Sequence, residues 1–105
     1  MALARERQRG YDGGMDINLS LKDMRRIPGV GPSMAEDLWR LGYRTVAELR
    51  GQDPQTMYER LMELEGKHVD RCVLYVFRCA EYFAATEGGA QDPELLKWWN
   101  WKDGK

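Results

Sequence analysis

The sequence lacks several features that would assign it to a common class of protein. It has no apolar run long enough to span a membrane, and its first residues lack the apolar block of a secretory signal. It has only two cysteines, spaced for one face of a helix, so we expect reduced thiols and a cytoplasmic protein. No alternation of apolar and polar residues predicts a strand, and we therefore expect helices separated by caps and turns.

An excess of basic residues is also missing. The chain has 16 Lys and Arg against 17 Asp and Glu, so its formal net charge is −1. A strong electrostatic footprint for nucleic acid is therefore not visible in the composition, although a neutral protein can carry a basic face. At 105 residues and 43% hydrophobic content, the chain has enough apolar side chains for one modest core.

The domain boundaries follow from composition. Residues 1–14 are charged, end in glycine and show no hydrophobic periodicity, which predicts a disordered N-terminal leader. An alternative is a basic arm in which Arg5, Arg7 and Arg9 contact phosphate. Residues 15–103 are then expected to form a single domain with a tryptophan-rich C-terminal tail.

The segment from Ile27 to Ala35 organises the rest of the chain. Gly29 and Gly31 supply backbone freedom and leave room for an approaching group. Pro32 suits the first position of a helix, where no N–H is needed. The pattern predicts a turn between two helices that opens onto a helix N-terminus, where free N–H groups and the helix dipole bind anions. A backbone phosphate is the natural anion for so shallow a loop.

Three arginines are candidates to pair with that anion. Arg25 and Arg26 stand at the entrance of the turn, and Arg44 follows the second helix closely enough to reach the same face. Arginine matches the geometry of phosphate oxygens well. The opposing interpretation is that these are ordinary solvated charges.

Caps and apolar spacing predict the helices around the turn. A buried stripe with helical spacing favours a central core helix over residues 69–85, the most apolar part of the chain. The expected helix starts are Ser20, Pro32, Thr45, Asp53 and Asp92. The side chains expected to face the core are Leu21, Met24, Ile27, Ala35, Leu38, Leu41, Met57, Leu61, Leu64, Val69, Cys72, Val73, Val76, Phe77, Ala80 and Phe83.

The sequence offers no constellation for catalysis. His68 has no nucleophile beside it, and no nucleotide-binding loop occurs, so we expect neither an enzyme nor a cofactor. Cys72 and Cys79 share a helix face with His68, but zinc sites usually use closely spaced ligand pairs, so two small buried thiols are favoured over a metal site. The break at Gly66 resembles a weaker copy of the first turn, with His68 in place of a second glycine.

The C-terminal tail contains Trp98, Trp99 and Trp101. Three tryptophans within four positions are too apolar for a solvated tail, which favours a segment that folds back and seals the core. The alternatives are a surface for a protein partner or a platform on which nucleobases stack.

The run Gly29-Val30-Gly31-Pro32-Ser33-Met34-Ala35, with Leu41-Gly42-Tyr43-Arg44-Thr45 after it, is similar to the helix-hairpin-helix motif of DNA repair polymerases and ligases. From about Met15 to Asp103 the chain resembles the pathogenicity-locus family of small helix-hairpin-helix proteins, including the runs 69–80 and 97–103. The resemblance implies an all-α, compact, SAM-like helix-hairpin-helix domain of about five helices plus a short C-terminal helix.

The resemblance also implies a function. Such a module would bind DNA through the phosphate backbone without reading sequence, possible roles being in repair or recombination. By this analogy the N–H groups of Gly29, Gly31, Ser33 and Met34 would hold a phosphate. The carbonyls of Arg25, Ile27 and Val30 would hold a monovalent cation that bridges to the phosphate. No membrane and no small-molecule substrate is expected as a partner.

Two acidic residues depart from this pattern. Duplex-binding hairpins commonly carry Lys or Arg where this chain has Glu36 and Asp37, and carboxylates so close to a phosphate would repel it. The alternative hypothesis is therefore a protein-interaction adaptor in which the hairpin is only structural. Its partner would be another protein, bound through the hairpin or the tryptophan tail.

Overall fold

A computed structural model describes residues 17–102, and within them the chain is all-helical with no strand. The predicted leader, with Arg5, Arg7 and Arg9, lies outside the described residues. In residues 17–102, four α-helices are joined by turns and supplemented by three 3-10 helices. The α-helices are α1 (Ile17–Met24), α2 (Pro32–Arg40), α3 (Pro54–Glu65) and α4 (Cys72–Thr86). The 3-10 helices are Val46–Leu49, Pro93–Leu96 and Trp98–Trp101.

The expectation of about five helices is corrected at two places. The predicted third helix is a single 3-10 turn, and the predicted last helix is two consecutive 3-10 turns. Thr45, the expected start of that helix, also does not cap it as a threonine N-cap would. The Thr45 side chain caps nothing, and the Glu48 carboxylate instead accepts the N–H of Arg44 at 2.8 Å. A segment this short cannot add enough hydrogen bonds to extend into an α-helix.

Helix α1 begins earlier than its sequence indicates. Ser20, the predicted N-cap, lies in the second turn of the helix and is fully buried, and its hydroxyl has no partner among the described residues. Leu19, beside it, is 56% exposed. Ser20 is thus a small buried side chain, and the sequence alone does not distinguish such a serine from an N-cap serine. The buried positions of Met24 and Ile27 are confirmed.

The pairing of α1 with α2 and of α3 with α4 builds the core. Helix α3 begins as predicted, because the Asp53 carboxylate accepts the Gln55 N–H at 3.3 Å and Pro54 occupies the first turn. The prediction that Leu64 is a core residue is wrong, since its side chain is 50% exposed. Tyr58 is buried instead, and its hydroxyl donates to the carbonyl of Val69.

Helix α4 is the central core element, as its apolar content predicts. It contributes six buried side chains: Leu74, Val76, Phe77, Cys79, Ala80 and Ala84. It starts at Cys72 rather than at residue 69, and the predicted core positions Val69, Cys72, Val73 and Phe83 are only half-buried. Leu74 and Ala84 are buried positions that the prediction missed. Both cysteines are free thiols.

The C-terminal segment folds back onto α4, as one of the three interpretations of the tail requires. Trp98 is half-buried and packs against the core, whereas Trp99 is 53% exposed. The indole N–H of Trp101 donates to the Leu95 carbonyl at 2.8 Å, and the Arg78 guanidinium donates to the Trp101 carbonyl at 2.7 Å. The three tryptophans therefore have different environments. None of the helices in residues 17–102 is long and apolar enough to cross a bilayer.

Candidate anion-binding site

The turn between α1 and α2 opens onto an uncapped helix N-terminus. Gly31 is the N-cap residue of α2, in an extended conformation with φ −93° and ψ −172°, and no side chain caps the helix. Pro32 has no N–H, and the N–H groups of Gly31, Ser33 and Met34 have no acceptor among the described residues. These are the donors that a helix start leaves unsatisfied, and they sit at the positive end of the helix dipole.

Other helical segments in the chain begin differently, because an aspartate side chain accepts an N–H of the first turn. The pairs are Asp23 with Val46 at 2.7 Å, Asp53 with Gln55 at 3.3 Å, Asp70 with Cys72 at 2.9 Å, and Asp92 with Glu94 at 3.0 Å. The chain thus supplies its own carboxylate to the starts of α3 and α4 and to two of the 3-10 helices. The 3-10 helix Trp98–Trp101 and helix α2 begin without a side-chain cap, and the start of α2 is left to an external anion or to water.

The opposite end of α2 is closed by arginine side chains. Arg44 donates to the Trp39 carbonyl at 3.0 Å, and its guanidinium lies 3.6 Å from the centroid of the Trp39 ring. Arg60 donates to the Leu41 carbonyl at 2.6 Å. Positive charge suits this end of a helix. The structure therefore places Arg44, one of the predicted site residues, at the far end of α2 from the uncapped N-terminus.

The two glycines of the turn have different physical roles. Gly29 has φ +90°, and a Cβ built there would lie 2.7 Å from Cδ1 of Trp98, so the indole packs directly on the Gly29 backbone. Gly31 has an ordinary φ, and a Cβ there would meet nothing within 4 Å. Gly29 is thus required by local conformation and packing, whereas the open side of the backbone is at Gly31.

The two arginines at the entrance also differ. Arg26 is held by carboxylates, with Nε 2.9 Å from Asp23 Oδ1 and Nη1 in contact with Glu87. Both hydrogen bonds, and above all the one to Glu87, raise the pKa of the Arg26 guanidinium. Arg25 is exposed, and its side chain has no ion-pair partner among the described residues. Arg25 is therefore the guanidinium that is available to an anion.

The backbone around Val30 bears on the expected cation site. The side chains of Val30 and Ile27 are buried, so these two residues can offer only backbone atoms to a ligand. The Ile27 carbonyl already accepts the Val30 N–H at 3.1 Å, which closes the turn. A carbonyl oxygen retains a second lone pair, so a cation at Arg25, Ile27 and Val30 stays a prediction.

The second turn, between α3 and α4, lies beside the first. Ser33 and Asp37 line a polar pocket of about 330 Å³ together with Glu65 and His68. Arg40 bridges the two carboxylates, 3.4 Å from Asp37 and 2.5 Å from Glu65. Burial raises the pKa of Asp37 and Arg40 opposes that shift, while the hydrogen bond from Arg40 lowers the pKa of Glu65. The negative charge of Asp37 is thus partly balanced next to the α2 N-terminus.

The second turn is not a copy of the first in one respect that matters for anions. The Asp70 carboxylate occupies the N-terminus of α4, and its hydrogen bond from the Cys72 N–H lowers the pKa of Asp70. An external anion would have to displace this carboxylate. In residues 17–102 no group of three or more His, Cys, Asp or Glu side chains is arranged to hold a metal ion.

Sequence reasoning missed the contact between Trp98 and Gly29, because sequence carries no signal for a packing contact so distant along the chain. It also missed the aspartate caps at Val46 and Cys72. The cap of Val46 comes from Asp23 of α1, far away in sequence. The cap of Cys72 was missed because the predicted helix began at residue 69, which put Asp70 inside the helix rather than before it.

Comparison with known proteins identifies the family. A model of the family described as pathogenicity locus matches residues 18–105, and the chain belongs to this family. Over 52 residues it is 36% identical to the mitomycin resistance protein McrB of Streptomyces lavendulae. That match covers 50% of this chain, and the chain spans about half the length of this relative. No solved structure matches the chain.

Proposed function

We propose that this member of the pathogenicity locus family is a DNA-binding module of the helix-hairpin-helix type, with α1 and α2 as the two helices of the motif. It holds a backbone phosphate at the N-terminus of α2 and does not read sequence. The observation that carries the proposal is the uncapped start of α2, in a chain that places an aspartate at four other helix starts.

Three features of the site favour a phosphate of a polymer over a small buried anion. The N–H groups lie at a surface turn, with Gly31 and Ser33 both exposed. The open space at Gly31 lets a bulky backbone approach the N–H groups closely. Arg25 adds one exposed positive charge without an ion-pair partner among the described residues. A contact to phosphate oxygen alone fixes position but carries no sequence information.

The net charge of −1 and the exposed Glu36 imply weak binding. The α2 N-terminus and Arg25 would contact about two phosphates, which predicts a slope of log affinity against log salt near −2, with a dissociation constant of about 10⁻⁴ to 10⁻⁶ M. Contacts of this kind would place the protein on DNA of any sequence. A role in repair or recombination would then depend on the structure of the DNA.

The test is a salt titration of binding to two labelled duplexes of unrelated sequence, followed by fluorescence anisotropy. Gly31→Val should abolish binding, because the side chain fills the space in front of the N–H groups. It should cost only about 1 kcal/mol of stability, because the position is exposed and valine is merely a poor N-cap. Circular dichroism checks that the helices remain.

Charge variants complete the test. Arg25→Ala should reduce the steepness of the salt slope by about one, whereas Arg50→Ala removes an exposed charge from another segment and should leave it nearly unchanged. Glu36→Lys should tighten binding, because it replaces a repelling charge near the phosphate. If the wild type and Glu36→Lys both fail to bind DNA at low salt, the adaptor hypothesis replaces this one.

A further inference from the structure

Among the aromatic side chains of residues 17–102, that of Trp99 is the most exposed. Its side chain is 53% exposed. Exposure alone says little, because single apolar side chains are common on protein surfaces. The placement and the support of this indole ring carry the argument.

The 3-10 helix Trp98–Trp101 that carries Trp99 is fixed on α4. Trp101 donates to the Leu95 carbonyl at 2.8 Å and accepts from Arg78 at 2.7 Å, and its ring lies 5.7 Å from that of Tyr82. The Asn100 amide also donates to the Glu94 carbonyl at 2.7 Å. Trp99 therefore needs little ordering before it binds a ligand, which lowers the entropic cost of a contact.

Trp99 is coupled to the turn through its neighbour. Trp98 packs on the backbone of Gly29, and Trp98 and Trp99 form an edge-to-face pair with centroids 5.7 Å apart and planes at 85°. A single indole thus separates the exposed ring from the turn that leads into the uncapped N-terminus of α2. The exposed ring and the turn are therefore joined by two successive packing contacts, Trp99 on Trp98 and Trp98 on Gly29.

We propose that Trp99 stacks on an unpaired nucleobase of the same strand whose phosphate is held at the α2 N-terminus, so that the domain prefers single-stranded overhangs to closed duplex. The inference rests on the proposed function and names its substrate class. Inside a duplex both faces of each base are already covered by neighbouring bases, so only an unpaired base can accept the indole. Stacking on an aromatic ring tolerates every base, which agrees with binding that does not read sequence.

The test compares two DNA molecules. One is a duplex whose two ends are closed by polyethylene glycol linkers, which carry no base, and the other is the same duplex with one end left open and extended by a short oligothymidine overhang. Trp99→Ala should weaken binding to the overhang about tenfold, which corresponds to about 1.4 kcal/mol, and change binding to the closed duplex less than about twofold. Leu64→Ala is the matched control, since it removes a 50% exposed apolar side chain from α3 and should change neither.

Tryptophan fluorescence gives a second readout that does not depend on the alanine variant. A base stacked on Trp99 should quench the wild-type emission when the overhang binds. Trp99→Phe should keep most of the affinity, because it retains a ring, but lose that part of the quenching. Both variants should still unfold in one cooperative transition, with Trp99→Ala losing only a few degrees because it removes the edge-to-face contact with Trp98.

The outcomes separate the two proposals. Equal loss of affinity for both DNA molecules in Trp99→Ala, or no loss for either, would overturn the stacking inference. The phosphate proposal would survive that result if Gly31→Val still abolished binding. Failure of the wild type to bind either DNA would overturn both.

Discussion

The contact between Gly29 and Trp98 leads to a stability prediction in which two physical effects can be separated. Gly29→Ala forces an L side chain into a left-handed backbone conformation at φ +90°. It also places a Cβ 2.7 Å from Cδ1 of Trp98, with Cγ at 3.5 Å and the Trp98 Cβ at 3.7 Å. Only Cδ1 is closer than a normal contact, and because this atom lies next to the point where the ring is attached, Trp98 cannot relieve the clash by moving its far end alone.

The magnitude follows from these two effects. The left-handed conformation costs about 1–2 kcal/mol for a residue with a Cβ. Overpacking against a side chain that is itself anchored in the core adds about 1–3 kcal/mol. We therefore expect Gly29→Ala to lower the free energy of unfolding by about 2–5 kcal/mol. In a domain of this size that corresponds to a loss of roughly 10 °C or more in melting temperature.

Gly42→Ala is the matched control. Gly42 has φ +104° and open space around its Cβ position, so this variant should cost only the conformational part. Denaturant unfolding of both variants gives the difference directly. In a Trp98→Ala background the two alanine substitutions should then cost the same, because the clash has been removed. Equal costs in the wild-type background, or an unchanged difference in the Trp98→Ala background, would refute the packing account of Gly29.

Three further predictions test the local geometry. Asp53→Ala should lower the free energy of unfolding by about 1 kcal/mol in denaturant melts, because it removes a side-chain cap, whereas Thr45→Ala should cost less than half of that. Burial raises the pKa of the Cys79 thiol to about 11, so at about pH 8 a thiol reagent should label half-buried Cys72 well before Cys79, and the reverse order would contradict the structure. Arginine pairing lowers the pKa of the Glu65 carboxyl, so it stabilises the fold above the pKa of an unfolded glutamate and ceases to do so as the pH falls through the lower folded pKa. Glu65→Gln should accordingly flatten the loss of melting temperature below about pH 4, and an unaltered acid limb would count against the pair.

Local sequence signals were sufficient where structure depends on neighbouring residues. Pro32 at the start of α2, the Asp53-Pro54 start of α3 and the glycine-containing turn at 29–31 follow from backbone chemistry within a few residues. Apolar spacing also identified α4 as the core helix, because helical periodicity sums over many positions. The absence of alternating apolar and polar residues correctly predicted that residues 17–102 contain no strand.

The errors occurred where a residue type is compatible with two environments. Ser20 suits both a cap and a tight buried contact, and only the packing of α1 shows that it takes the second. Leu64 has core chemistry but lies on the exposed side of the last turn of α3. Arg44 stands close to the turn in sequence, yet the length of α2 separates it from the start of that helix.

By itself, the sequence determined that α2 has no cap from its own N-cap residue, since Gly31 has no side chain and Pro32 no N–H. Only the tertiary structure decided which groups surround that N-terminus. It tied Arg26 to Glu87, left Arg25 without a described partner, placed Trp98 on Gly29 and turned Trp99 toward solvent. These are contacts between segments distant along the chain. They depend on how the helices pack, and residue patterns within any one segment carry no information about them.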